Sequence, residues 1–422
     1  MPTSPPQRPP MTVSTDGAQP TVKVRASPSM DHRLMSVVAW SLALGLLAVG
    51  FWLYATQGQE DLRLRWLEKL YVLNGVNPLD ALSDRPVELL NLPALGRMAG
   101  YAPWSYVYAI LFAPSGDASV AVAWFAVLNL AAWAMLMAFG WRTLAELSPD
   151  TALPWIAAAA AVTFVAIPVV LRHGNYGLIV AALLAGMVWL LDRDRPWLAG
   201  FCLGLAMVKP QLAALFCFVP LTRGRVSPVL VAAMLVCGAW LVAAFLTSTS
   251  PLRLLAAMLN QGAGFGDAYQ GVFAVLRVFG ISGPLTTVAG MVVGAGIVAW
   301  LCWRNRDLDL VTIAAIPAVV ATIWAYHRTH DLMILSFLGL AAIRGLAAVE
   351  RRPSAAEWVL LLAPWWPYLN RMNEGYLLPT AFRALWFASL LVVLARARIG
   401  QGALPMRTDS ERRAQVPRRT QA

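Results

Sequence analysis

The sequence predicts an all-α polytopic membrane protein, and composition, apolar runs and loop charge each predict it. Of 422 residues, 59% are hydrophobic and 13% charged, and the mean hydropathy is +0.61. Soluble proteins run at about 45–50% apolar and about 25% charged. Apolar runs recur along the whole chain, many near the ~20 residues that a helical span needs. The formal net charge is +11, carried by arginines in short loops and the C-terminal tail. That is the pattern of a membrane protein with positive loops inside, and it carries no nucleic-acid signal.

Residues 1–33 are rich in Pro, Ser and Thr, with Arg8, Lys23, Arg25 and Arg33, and read as a disordered cytoplasmic leader. Leu34 to Tyr54 reads as an uncleaved first span. The first external loop, about 55–117, opens with the adjacent carboxylates Glu60 and Asp61. An amphipathic stretch follows and is broken by Asn74-Gly75 and Asn77-Pro78. Further apolar runs lie at 118–140, 155–171, 176–191, 197–220, 228–246, 284–303, 310–325, 331–348, 358–370 and 377–395. Two pieces, Tyr101 to Phe112 and Gly271 to Gly280, are too short to span and read as interfacial or re-entrant.

Loop charge places Arg142, Arg193, Arg195, Arg223, Arg225, Arg304, Arg306, Arg351, Arg352 and the tail on the cytoplasmic side. This works when Trp197 to Leu221 is a hairpin of two half-helices broken at Lys209-Pro210, because proline removes a donor and disfavours helix in the residue before it. About 10–12 transmembrane helices result, twelve passes with the hairpin counted twice, both termini inside. The membrane domain then spans 34–395, and 396–422 is a basic disordered tail against anionic lipid.

The external face collects Glu60 to Gly100, Arg172 to Asn175, Lys209, Thr247 to Gln270, Tyr326 to Asp331 and Asn370 to Tyr376. Three of the four histidines, His173, His327 and His330, fall there. Cys202, Cys217, Cys237 and Cys302 lie inside apolar runs and show no disulfide or metal spacing. The spans are almost free of charge, unlike a transporter with ionisable groups at the midplane. A transporter or lipid flippase, and a non-catalytic scaffold, stay open as alternatives.

Several segments in order carry a family resemblance. They are Asp61…Tyr71…Asn74-Gly75…Asn77-Pro78, then Tyr101-Ala102-Pro103 and His173-Gly174-Asn175-Tyr176-Gly177. Leu198-Ala199-Gly200…Gly204-Leu205-Ala206…Lys209-Pro210 follows, with Asn260-Gln261-Gly262 and Tyr326-His327-Arg328-Thr329-His330-Asp331. Together they resemble glycosyltransferase family 87, integral-membrane enzymes of the C superfamily that use polyprenyl-phosphate sugars. The similarity runs from about Leu34 to about Leu346. Gly174-Asn175-Tyr176 stands where the family has Gly-Gln-Asn, and Ala102-Pro103 where it has Pro-Pro.

The resemblance implies a C-superfamily bundle with a functional first external loop. It implies inverting transfer of a mannosyl or other hexosyl or pentosyl group to a glycolipid or glycan acceptor. The reaction would occur at the outer face of a bacterial cytoplasmic membrane. The donor is a polyprenyl-phosphate sugar; no cofactor and no metal are expected. Asp61 occupies the family's first-loop Asp position and is the expected general base; the alternative is a solvated helix end. Glu60 beside it would raise the pKa of Asp61 by like-charge repulsion, or simply be exposed. Lys209 reads as a contact to the donor phosphate, or as a snorkelling interfacial lysine. Arg172, Arg277 and Arg328 are weaker cations of the same kind, against a structural or interfacial role. His327, His330 and Asp331 read as hydrogen-bonding groups for phosphate or sugar, against a polar helix cap or a metal cluster. His173, Asn175 and Tyr101 complete the expected substrate-binding set.

Overall fold

The apolar runs fold as helices. The structure, a computed structural model, describes residues 32–57, 59–78, 101–145, 158–159, 167–264, 279–280, 284–324, 329–347, 349, 352–365 and 377–403, and no strand occurs among them. In chain order the helices are α1 (His32–Thr56), α2 (Glu60–Leu73), α3 (Trp104–Phe112), α4 (Ala118–Ala145), α5 (Ile167–His173) and α6 (Gly177–Asp192). Next come α7 (Pro196–Ala206), α8 (Pro210–Ala213), a 3₁₀ turn (Ala214–Cys217), α9 (Phe218–Leu221), α10 (Ser227–Leu246) and α11 (Pro251–Gly264). The chain continues with α12 (Pro284–Arg304), α13 (Leu310–Trp324), a 3₁₀ helix (Thr329–Leu335), α14 (Ser336–Ala347), α15 (Ala355–Leu362) and α16 (Leu377–Ala403).

Among the described residues, four helical stretches are long and apolar enough to cross a bilayer: Val37–Thr56, Ala118–Ala145, Ser227–Leu246 and His330–Ala347. The bent pair α5–α6 makes a fifth, its halves turned by 120°. Shorter apolar helices fill the bundle between them. This is an all-α polytopic membrane protein. Its layering follows from side-chain pattern. All residues from Leu310 to Ile323 in α13 are buried, so this helix is apolar all round and central. The first span and α10 instead turn large side chains outward, as with Trp52, Leu230 and Met234, which are about half to two-thirds exposed. An apolar exterior of this kind is suited to lipid.

The chain breaks and reverses between α7 and α9, as the Lys209-Pro210 pair predicts. Arg225, after α9, lies 3.0 Å from Asp194, before α7, and its guanidinium also donates to the Leu191 carbonyl. Entry and exit of the segment therefore meet at one end, which makes it a hairpin. On the way in, α7 packs tightly on α10, because a side chain at Gly200 would lie 2.7 Å from the Pro228 carbonyl oxygen.

That same end gathers the arginines. Arg223 donates to the Leu308 carbonyl, Arg344 to that of Thr143, and Arg398 to that of Arg304. The bundle thus has a basic end, and the break at Lys209 points to the other.

Two segments are helical where the sequence predicts none. Thr247 to Gln270, assigned to the external face with no helix in it, contains α11, whose apolar residues line one face of a helix too polar to span. Arg396 and Arg398, assigned to a disordered tail, lie in α16, which runs on to Ala403. Arg396 is buried, donates to the Gly345 carbonyl and sits 3.5 Å from Glu357. A charge that finds such partners extends a helix past its apolar run.

Candidate active site

The site begins with α2. Gln59, in the left-handed conformation, ends the link from α1, and its side-chain amide donates to the Tyr54 carbonyl. Glu60 and Asp61 then occupy the first helical turn, where the helix dipole favours negative charge. Asp61, Arg65, Glu68 and Val72 fall at helical spacing on one stripe. Two side chains tie α2 to the segment after α3. Lys69 donates to the Ala113 and Ser115 carbonyls at 2.6 and 2.7 Å, and the Trp66 indole to Ser115 at 3.0 Å.

The turn between α5 and α6 supplies the second part. Gly174 has φ +62°, and a side chain there would lie 2.8 Å from Leu62 Cβ, so the turn closes directly on α2. Gly177 allows a second close approach, since an added Cβ would lie 2.5 Å from the His330 carbonyl oxygen. Asn175, between these glycines, is buried. Its Nδ2 donates to Asp61 Oδ2 at 2.7 Å, while its Oδ1 accepts from the Gly177 amide at 2.9 Å and from Lys209 Nζ at 2.7 Å. This one carboxamide joins three elements.

The break before α8 supplies Lys209, whose ammonium forms a buried ion pair with Asp331 on the 3₁₀ helix. Trp104 of α3 stabilises that break by donating its indole N–H to the Met207 carbonyl at 2.7 Å. His330 Nε2 lies 3.9 Å from Asp61 Oδ2 and 3.8 Å from Asp331 Oδ1, and its ring is 5.6 Å from that of His173. Tyr101 carries the Arg65 guanidinium over its ring at 3.9 Å, with Lys209 Nζ 6.0 Å from the ring centre.

Exposure ranks these groups. The side chain of Asp61 is 23% exposed, against 9% for His330, 2% for Lys209 and 1% for Asp331. Asp61 is therefore the more exposed of the two carboxylates in this cluster. Burial alone would raise its pKa, but His330, the Asn175 hydrogen bond, Lys209 and Arg65 outweigh it and hold the carboxyl below its ordinary value. Of the two readings of Glu60, the exposed one holds: Glu60 lies in water, and the charges that act on Asp61 are cations. The snorkelling reading of Lys209 is corrected, because its ammonium is turned inward onto Asp331 and Asn175.

Folding therefore brings together Asp61, Asn175, Lys209, His330 and Asp331, with His173 and Tyr101 against them. Arg172 is exposed at the end of α5, outside this hydrogen-bonded group. Arg277, His327 and Arg328 lie outside the described residues. No group of three or more His, Cys, Asp or Glu among the described residues is placed to hold a metal ion.

Sequence reasoning missed a second buried pair. Arg65 Nη1 donates to both Glu68 carboxylate oxygens at 2.7 and 2.6 Å. Burial pushes the Glu68 carboxyl up to about 7, with Arg65 opposing. Burial also raises the Tyr101 phenol well above its ordinary value. The signal was available: charged residues four and seven positions after Asp61 share its face of α2.

These features define an integral-membrane helical protein with a carboxylate and cation cluster at the end of the bundle opposite its basic one. Within that class, the model of glycosyltransferase family 87 matches residues 101–327, more than half of the chain, and the chain belongs to that family. The matched stretch contains Tyr101, Asn175 and Lys209; Asp61, His330 and Asp331 lie outside it and join them through the fold. No curated protein and no solved structure matches the chain.

Proposed function

We propose that this glycosyltransferase moves a sugar from a polyprenyl-phosphate carrier to a hydroxyl of a glycolipid or glycan, with inversion, and that Asp61 is the base. One observation supports the reading: the Asp61 side chain is 23% exposed, while Asn175, Lys209, His330 and Asp331 around it are buried. The acceptor hydroxyl gives its proton to Asp61 as its oxygen forms a bond to the anomeric carbon. The bond from that carbon to the phosphate oxygen breaks, and the electron pair leaves on the phosphate. Positive charge developing on the sugar ring is of the oxocarbenium kind familiar from glycoside chemistry.

The leaving phosphate needs hydrogen-bond donors and positive charge. His330 stands beside Asp61 to donate, with the His173 ring against it, and the exposed Arg172 is a further cation of the set. Lys209 contributes its charge from behind, through Asp331 and Asn175, which fix it in place. His327 and Arg328 belong to the same proposed set. With the basic end in the cytoplasm by the positive-inside rule, the reaction faces the outside of a bacterial cytoplasmic membrane.

The test is transfer in reconstituted lipid from radiolabelled polyprenyl-phosphate mannose to a membrane-lipid extract, comparing wild type with Asp61→Asn. The expected loss is on the order of 10²–10⁴-fold in the variant, with its folding intact. Equal rates would remove Asp61 as the base.

A further inference from the structure

At the basic end, away from Asp61, a cavity of about 80 Å³ lies between α4, α6, α13 and α14. This is several times the roughly 10–15 Å³ that one water needs. Its polar lining is Arg142, Thr143, Asp192, Asp309 and Arg344, with the Trp189 indole beside them. The two aspartates match the two arginines in number, so the excess positive charge comes from the arginines around the lining. Asp309 caps α13, accepting from the Val311 and Thr312 amides at 3.1 Å and from the Thr312 hydroxyl at 2.7 Å. Its remaining reach goes to Arg344, 3.6 Å away, which also donates to the Thr143 carbonyl at 2.6 Å. Asp192 is exposed.

Arg142 is different. It has no carboxylate partner among the described residues, and its recorded contact is a loose one, 6.0 Å from the Trp189 ring. Arg193 packs on the same indole at 4.0 Å, adding a further cation near the cavity. Arg223, Arg225, Arg304 and Arg306 crowd the same end of the bundle. A positive field, an available guanidinium and a small polar cavity at the ends of membrane helices are the elements of a phosphate-headgroup site.

We infer that this cavity binds a phosphate-bearing anion, with Arg142 as its main contact and Arg344 held ready by Asp309 and Thr143. An anionic phospholipid headgroup and free phosphate share that chemistry. The lipid fits the position, since the cavity opens where the spans end. Its occupancy would tie α4, α6, α13 and α14 together at the end opposite the candidate active site.

The test is native mass spectrometry of the full chain exchanged into mixed micelles of phosphatidylglycerol and phosphatidylcholine. Wild type should retain phosphatidylglycerol preferentially and saturably, and Arg142→Gln should lower that retention about fivefold, the effect of one arginine near a membrane surface. Arg195→Gln, at the same end but outside the cavity, should change it little. Arg142 is exposed and makes no hydrogen bond that the fold needs, so its variant should stay folded. Displacement of the lipid by inorganic phosphate at constant ionic strength would identify free phosphate as an equal ligand of the same site. Equal losses in the two variants, or no preference in wild type, would overturn the site.

Discussion

At the scale of single residues, the Lys209–Asp331 pair raises the question of what is structure and what is chemistry. Both side chains are almost fully buried, and the ammonium also reaches Asn175. Removing one partner of such a pair leaves an uncompensated charge, at a cost of about 3–5 kcal/mol, whereas apolar groups in place of both are often nearly neutral. Lys209→Met and Asp331→Leu should each lower the thermal midpoint in detergent, and the double variant should recover most of that loss. Transfer should stay lost in Lys209→Met and the double variant, because the charge behind the phosphate is gone, and in Asp331→Leu, because the ammonium has lost the partner that fixes it. A double variant that regained transfer with stability would make the pair purely structural.

At the scale of elements, α3 links the two halves of the site. It is too short to cross a bilayer, yet it packs on α2, which carries Asp61, and Trp104 holds the break that carries Lys209. A helix that stops at Ala206 leaves carbonyls without partners, and the Trp104 indole satisfies the one on Met207. Trp104→Phe keeps the aromatic packing and loses that donor, costing about 1 kcal/mol. Amide hydrogen exchange should quicken locally across residues 207–213, with transfer reduced several-fold. Unchanged exchange there would dissociate Trp104 from the break.

At the scale of the whole molecule, the separation of charge between two ends is the organising feature. The hairpin from α7 to α9 makes it possible, since a single straight span would put Arg193 and Arg223 on opposite faces. A membrane-impermeant maleimide should therefore label Glu60→Cys and Arg195→Cys from opposite sides of sealed vesicles, above the background of the four native cysteines. Labelling of both from one side would break the two-ended arrangement.

The sequence by itself determined the membrane class, the break at Lys209-Pro210 and the segments that meet in the site. Apolar runs, loop arginines and a proline act locally, and each leaves its mark on a few consecutive residues. Only the tertiary structure decided which groups touch. That Asn175 bridges Asp61 to Lys209, or that Lys209 turns inward onto Asp331, depends on contacts across 34 to 122 positions of chain. The burial of Arg65 and Glu68 depends on Tyr101 and Tyr106 folding over α2, and so does the raised pKa of Glu68. Burial and long-range pairing are properties of packing, and packing sets the sign of the pKa shift at Asp61, which its sequence neighbours leave open.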